Sequence, residues 1–163
     1  MPRKYRIIGS LFVFLLALDQ ASKAVIERFF FLHESREVIP GFFNLTYVRN
    51  RGAAFGMLGT LPWAATIFVI IALIAIVIIL LYIRQIKTRE VWTPVCFALI
   101  LTGAVGNLID RFRLGSVVDF LDFYYRGWHW PAFNVADSCI TIGVTLLAIK
   151  ILLDGDMAVK EGT

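Results

Sequence analysis

Acidic and amide side chains inside or beside strongly apolar stretches are the chemically most informative feature of this sequence. The polar residues in such positions are Asp19, Lys23, Asn50, Asn107, Asp110, Arg111, Asp119, Asn134 and Asp137. Two carboxyl groups that share a poorly solvated site cannot both ionise easily, so their pKa values separate. The ionised carboxylate can then activate a water molecule while the protonated one donates to a carbonyl oxygen. Such a pair would hydrolyse a peptide bond without a covalent intermediate.

The motifs of other hydrolases are missing from the chain. It contains neither Gly-x-Ser-x-Gly nor His-Glu-x-x-His, which argues against a serine hydrolase of that type and against a zinc protease. Cys96 and Cys139 lie in apolar runs without metal-binding spacing, so we interpret them as small buried side chains. Carboxylate chemistry remains, but spacing alone does not select a pair. The candidates are Asp110, Asp119, Asp122 and Asp137.

Membrane-spanning helices must position these carboxylates. Of the 163 residues, 59% are hydrophobic and the mean hydropathy is +0.77, whereas soluble domains contain about 45–50% apolar residues. Apolar runs predict transmembrane helices at about 7–31, 63–83, 91–110 and 137–153, long enough to cross a hydrocarbon core ~30 Å thick. The predicted fold class is an all-α polytopic membrane protein with a single domain over residues 1–163.

The first apolar run has a second interpretation. Its basic start and short apolar stretch over 7–18 are also typical of a secretory signal peptide, cleaved near Ala21 or Ala24. Apolar character resumes over 24–32, which favours a retained helix that buries its polar residues. Composition alone leaves both interpretations open.

Basic residues predict how the helices are oriented. Lysines and arginines at 3–6 and 84–89 lie in short segments, which is typical of the cytoplasmic side. Both termini would then be cytoplasmic, and segments 33–62 and 111–133 would be extracytoplasmic. Because successive helices alternate in direction, the polar residues named above all fall on one side of the membrane in either orientation. That shared placement favours a functional site.

Individual polar residues also have structural interpretations. Asp137 is suited to be the N-cap of its helix. Asp19 and Lys23 are spaced to pair across one helical turn, and Asp110 could pair with its neighbour Arg111.

The two outer segments differ in character. Segment 33–62 alternates polar and apolar residues over 43–48, which predicts a short strand or hairpin, and residues 51–56 supply a tight turn of small residues. Segment 111–133 is rich in aromatic residues, which is typical of a piece that lies in the membrane interface. The net charge of +4 is not gathered in one patch, so no nucleic-acid partner is expected.

Five short motifs, in order and over nearly the whole chain, resemble the lipoprotein signal peptidase family, the bacterial signal peptidase II. They are Asp19-Gln-x-Ser-Lys23, Asn50-Arg-Gly-Ala-Ala-Phe55, Gly106-Asn-Leu-Ile-Asp-Arg111, Val117-Val-Asp-Phe120 and Phe133-Asn-Val-Ala-Asp137. The resemblance implies an aspartic endopeptidase of the bacterial inner membrane. Its substrates would be diacylglyceryl-modified prolipoproteins, cut before the lipidated cysteine to remove the signal peptide.

The resemblance also assigns roles to residues. Asp119 and Asp137 match the catalytic pair, and Asp122 is interpreted as a bystander. The positions matching substrate-binding residues are Asn50, Asn107, Arg111 and Asn134, and those matching structural polar residues are Asp19, Lys23 and Asp110. The outer segments match a β-rich region and an interfacial helix that clamp the substrate. No metal or organic cofactor is implied, and we expect a monomer whose partners are the prolipoprotein and membrane lipid.

Two other functions are compatible with some of these residues. A proton- or ion-coupled transporter or channel could use Asp19, Lys23 and Asp110, although transporters place such groups near the midplane and often show repeats. A membrane-anchored assembly subunit would need the charges only as structural ion pairs.

Overall fold

The computed structural model describes residues 2–52, 63–86 and 90–161. Its elements in chain order are α1 (Arg3–Phe29), β1 (Ser35–Ile39), β2 (Phe43–Asn50), α2 (Ala64–Ile83), α3 (Trp92–Leu114), β3 (Val117–Tyr125), β4 (Trp128–His129) and α4 (Val135–Glu161). Most of the turn predicted at 51–56 lies outside the described residues, as does part of the basic segment 84–89.

In the described part of the chain, four helices are long and apolar enough to cross a membrane. They comprise Arg3–Phe29, Thr66–Ile83, Trp92–Leu114 and Val135–Asp154. The predicted presence of four such helices is therefore confirmed. α3 packs against each of the other three helices and is the most buried of them. The others expose apolar side chains such as Val13, Ile71 and Leu152, which suit contact with lipid.

Glycines allow α1, α3 and α4 to approach closely at the level of the polar residues. A Cβ atom added to Gly103 would collide with the Ala136 carbonyl oxygen of α4. One added to Gly106 would lie 2.6 Å from Asp19 Oδ2 of α1. Small residues permit such contacts between membrane helices, and here they bring α1 and the start of α4 together on α3.

The strands form an antiparallel sheet of order β1-β2-β3-β4 that joins the two outer segments. Val48 pairs with Asp119 and Leu45 with Leu121, so β2 carries one extra residue in a bulge between them. Val118 and Phe120 are buried with Ile26 near the end of α1, which fixes the sheet to the helices. The predicted β-rich region is present, and the fold is not purely α-helical.

The interfacial helix expected in segment 111–133 is not there. α3 ends with Gly115 in the left-handed conformation (φ 68°), and Val117–Tyr125 is a strand. Many aromatic residues of segment 111–133 therefore belong to a strand, because β-branched and aromatic residues also favour strands when a partner strand satisfies the backbone. That partner is β2, which is distant in sequence. The described part of the outer segments does not show the expected interfacial helix.

The opposite ends of the helices are tied together by a buried lysine. Lys4 Nζ donates to the carbonyl oxygens of Ile83 (2.9 Å), Arg84 (3.2 Å) and Ile86 (2.7 Å). These carbonyls lie at the last residue of α2 and just beyond it, where the helix leaves its final carbonyls without partners. The start of α1 and the end of α2 therefore lie at the same end of the molecule, away from the sheet.

Candidate active site

The start of α4 holds two polar residues in a reciprocal capping box. Asn134 Oδ1 accepts from the backbone N–H of Asp137 (2.9 Å), and Asp137 Oδ2 accepts from the backbone N–H of Asn134 (3.2 Å). Asn134 is therefore the N-cap, and Asp137 is the third residue of the helix. The prediction that Asp137 is the N-cap was wrong by three residues, because both residue types can cap a helix and the sequence offers both.

A buried ion cluster connects α1, α3 and α4 next to this cap. Lys23 Nζ lies 3.0 Å from Asp19 Oδ2 and 3.0 Å from Asp110 Oδ2, and all three side chains are fully buried. Asp19 Oδ1 accepts from the backbone N–H of Ala136 (2.8 Å) and so satisfies the first turn of α4. The Asp19–Lys23 pair is confirmed, whereas Asp110 pairs with Lys23 and not with Arg111.

Lys23 also determines how the Asn107 amide is oriented. Lys23 Nζ and Asn134 Nδ2 both donate to Asn107 Oδ1, at 3.2 and 3.3 Å. Because an ammonium group can only donate, Asn107 must present its oxygen to Lys23. Its Nδ2 then donates to Asp137 Oδ1 (2.7 Å). A buried lysine thus fixes a hydrogen bond to one of the two candidate catalytic carboxyls.

The second carboxyl, Asp119, lies on β3 and is almost fully buried, with 2% of its surface exposed. Asn50 Nδ2 donates to its Oδ2 (3.0 Å) and Asn134 Nδ2 to its Oδ1 (2.8 Å). Burial, together with the nearby charge of Asp137, raises the pKa of Asp119 to about 7, although both amide hydrogen bonds oppose this shift. Asp119 therefore exchanges a proton near neutral pH, which is the property a general acid or base needs.

The two aspartates share Asn134 as a hydrogen-bond partner. Its side-chain Nδ2 donates to Asp119, and its backbone N–H donates to Asp137. A cavity of about 660 Å³ opens beside Asp119 and is also lined by Asn50, Arg51 and Trp130. Another concavity of similar size, beside Arg6 and Ser10 at the far end of α1, is lined by no carboxylate. The cavity at Asp119 is therefore the one that suits hydrolysis.

Arg111 lies on α3 within the electrostatic reach of both aspartates. Its guanidinium group is 5.1 Å from the centre of the Phe68 ring on α2, a cation–π contact. Nη1 donates weakly to the Asn107 carbonyl oxygen (3.4 Å), and within the described residues the buried Nε has no acceptor. Unpaired buried donors are unusual in folded proteins, so Arg111 has capacity to bind a further oxygen.

Asp122, which was interpreted from the sequence as a bystander, and His129, which was given no role there, line the same cavity as Asp119. Asp122 Oδ1 lies 2.8 Å from His129 Nδ1, and Asn44 Nδ2 donates to Asp122 Oδ2 (3.0 Å). The hairpin offered a clue. Arg126 and Gly127 have positive φ, as a two-residue turn requires, and Tyr124 consequently pairs with His129. Since strand side chains alternate, Asp122 shares a face with Tyr124 and thus with His129.

Together, the fold and the site define a polytopic membrane enzyme with paired carboxyls at one end of its helices. No group of three or more His, Cys, Asp or Glu residues in the described ranges is arranged to hold a metal ion. A family model for signal peptidase (SPase) II matches residues 11–153. The chain therefore belongs to the signal peptidase II family, and the resemblance drawn from the five motifs is confirmed.

Individual relatives agree with this assignment. A lipoprotein signal peptidase of Geobacter sulfurreducens is 45% identical over 152 residues, which cover 93% of this chain and 95% of the relative. One from Desulforapulum autotrophicum is 50% identical over 143 residues, covering 86% and 88%. A bacterial membrane enzyme solved by the in meso method at 2.3 Å resolution is 38% identical, with a TM-score of 0.81 over 91% of this chain and 88% of that one. The protein is accordingly a membrane protease of this family.

Proposed function

We propose that the protein is an aspartic endopeptidase that removes the signal peptide from diacylglyceryl-modified prolipoproteins, cutting before the lipidated cysteine. The observation that carries the proposal is Asp119, a buried carboxyl with a pKa of about 7 that is linked through Asn134 to Asp137 beside an open cavity. The names of the relatives, lipoprotein signal peptidase, support the substrate class.

In the proposed reaction the two carboxyl groups titrate as one unit and hold a single proton between them. The ionised carboxylate removes a proton from a water molecule, whose oxygen attacks the scissile carbonyl carbon. The protonated carboxyl donates its proton to the carbonyl oxygen. When the tetrahedral intermediate collapses, the C–N bond breaks, the leaving amine takes a proton from one carboxyl, and a hydroxyl group of the intermediate returns its proton to the other carboxylate, which restores the single proton of the pair. No covalent enzyme intermediate forms.

The four residues assigned to substrate binding divide into two groups. The side chains of Asn50, Asn107 and Asn134 each donate to one of the two aspartates, so we assign them to positioning the carboxyls. Among the residues that the structure describes, none accepts from the buried Nε of Arg111, and we assign this side chain to a carbonyl oxygen of the substrate.

The proposed setting is the bacterial inner membrane, with both termini cytoplasmic and the aspartates near the outer face. Support comes from the basic residues of the first helix and of segment 84–89, which would lie inside. A substrate carrying two acyl chains would enter laterally from the bilayer, because hydrocarbon chains remain in the lipid while the scissile bond reaches the site. The protein would act as a monomer, without a nucleic-acid partner.

An ion pathway is less compatible with the structure. Lys23 is fully buried and contacts Asp19, Asp110 and Asn107, so each of its three N–H groups has an acceptor. A transported ion would have to disrupt this closed cluster at a cost of several kcal/mol.

The decisive experiment is cleavage of a diacylglyceryl-modified prolipoprotein by the purified protein in detergent. Asp119→Asn and Asp137→Asn should each lower kcat by at least roughly 10²–10⁴-fold, because either change removes half of the acid–base pair. Asp154→Asn is the matched control, since its side chain is half-exposed at the far end of α4. Cleavage retained by either site variant would refute the assignment of the pair.

A further inference from the structure

His129 is held firmly although its side chain is half-exposed. On one side, its Nδ1 lies within hydrogen-bond distance of both oxygens of Asp122, which Asn44 in turn anchors. On its face, the ring stacks on Tyr124 with 5.0 Å between ring centres and 11° between planes. The Tyr124 hydroxyl accepts from Gly41 N–H (2.9 Å). Contacts with Asp122 and Tyr124 therefore fix the orientation of a ring that is half-exposed to the cavity.

The hydrogen bond to Asp122 also determines what His129 can recognise. Because Nδ1 bonds to Asp122, Nε2 is the ring nitrogen that remains to bond a ligand. The main chain of every peptide substrate offers N–H and C=O groups that can form a hydrogen bond with an imidazole nitrogen. Pro131 and Ala132, which follow in the lining of the cavity, carry no charge.

The position of this pair relative to Asp119 indicates which part of a peptide would reach it. Asp122 follows Asp119 by three residues on β3, which corresponds to roughly 10 Å along a strand. This odd spacing directs the two side chains to opposite faces of the strand, and both nevertheless line the same cavity. β3 starts just after α3 ends, so the strand leads from the membrane helices towards the hairpin at Arg126 and Gly127. The signal peptide and acyl chains of the substrate stay with the membrane, and the released chain must leave in the other direction.

We propose that Asp122 and His129 form a binding site for the main chain of the substrate's mature segment, about three residues beyond the scissile bond. His129 Nε2 forms a hydrogen bond with the main chain of the substrate, and Asp122 is a positioning residue that orients the ring. This inference rests on the proposed function, because it assigns a path to the substrate of that reaction.

Two lipid-modified substrates test the proposal, one ending two residues after the lipidated cysteine and one continuing for six. His129→Ala and Asp122→Ala should raise KM for the longer substrate roughly five-fold, the effect of losing one hydrogen bond, and leave its kcat unchanged. Neither variant should alter the kinetics of the shorter substrate. Asp154→Asn is the matched control, because Asp154 pairs with Lys150 near the opposite end of the molecule and is not among the cavity residues; it should change the kinetics of neither substrate.

Each alternative outcome is distinguishable. Unchanged kinetics of both variants on the longer substrate would overturn the proposal. An equal loss on both substrates would also overturn it, because that pattern indicates distortion of the aspartate pair. If the wild-type protein cleaves neither substrate, the proposed function fails and the inference fails with it.

Discussion

At the scale of single residues, carboxyl groups outnumber basic side chains in the site. Four aspartates lie near two cationic side chains; the aspartates are Asp19, Asp110, Asp119 and Asp137, and the cations are Lys23 and Arg111. Lys23 is committed to Asp19 and Asp110, so little positive charge remains for the other two aspartates. A proton retained near neutral pH at Asp119 relieves this imbalance.

The pKa of Asp119 leads to a prediction for the pH dependence of cleavage. We expect kcat/KM to fall as the pH rises above about 7, because the pair then loses the proton that must be donated to the carbonyl oxygen. The check is kcat/KM from pH 5 to 9 for the wild type, with Asp154→Asn expected to give the same profile. A flat profile between pH 6 and 9 would contradict the role of this proton.

The thermal stability of the protein must be measured over the same pH range. The direction in which stability changes with pH follows from the pKa difference between the folded and unfolded states. The pKa of Asp119 is raised in the folded protein, from 3.8 to about 7, so the folded state binds this proton more tightly than the unfolded state. Its contribution to the free energy of unfolding therefore falls as pH rises across that window and is flat above it. A decline in activity beyond pH 7 with constant Tm would thus report catalysis and not unfolding.

At the scale of elements, the site depends on how closely three helices approach. Gly106 of α3 faces Asp19 Oδ2 at 2.6 Å and the Ala136 side chain at 3.2 Å, measured from an added Cβ. Asp19 in turn caps the first turn of α4, one residue before Asp137. The close packing of the three helices at Gly106 therefore also determines where the Asp137 carboxyl lies.

Gly106→Ala should therefore lower both stability and activity. The added methyl group pushes α1 and α4 away from α3, which we expect to cost about 1–3 kcal/mol and to reduce kcat by displacing Asp137. Thermal unfolding and cleavage assays in detergent measure the two effects. Gly9→Ala on α1 is the matched control, because nothing lies within 4 Å of its added Cβ; the higher helix propensity of alanine should stabilise it by about 0.5–1 kcal/mol. Equal behaviour of the two variants would show that Gly106 is not packed closely.

At the scale of the whole molecule, the two ends have different tasks. One end is closed by Lys4, which binds three carbonyls at and just beyond the end of α2, and by Lys150, which pairs with Glu90 (3.2 Å). The other carries the sheet, the cavity and the aspartates. A substrate anchored in the membrane can reach only one of these ends with its scissile bond, so the orientation of the chain decides where cleavage takes place.

Orientation can be tested with introduced cysteines, because the native Cys96 and Cys139 are buried. Tyr125 is 63% exposed at the sheet end, and the side chain of Asp154 is 53% exposed at the opposite end. A membrane-impermeant maleimide should label Tyr125→Cys in intact spheroplasts and Asp154→Cys only after the membrane is permeabilised. The reverse pattern would show that the aspartates face the cytoplasm.

Several features followed from the sequence by itself because they depend on local geometry. Runs of apolar residues specify the helices, since a helix advances by a fixed rise per residue. Alternating helix direction was enough to group Asp19, Asp110, Asp119 and Asp137 on one side, and helical periodicity was enough to pair Asp19 with Lys23. The motifs then identified the family.

Only the tertiary structure decided which groups touch. Asp19 reaches the start of α4 across 117 residues of sequence, and that contact depends on glycine packing that no local pattern encodes. Asn134 took the capping position expected of Asp137, and β3 formed where an interfacial helix was expected because β2 supplied a distant partner. The hairpin between β3 and β4 places His129 beside Asp122 in the lining of the cavity. Local periodicity sets the direction of a side chain, whereas the distance between elements is set by the packing of the whole chain.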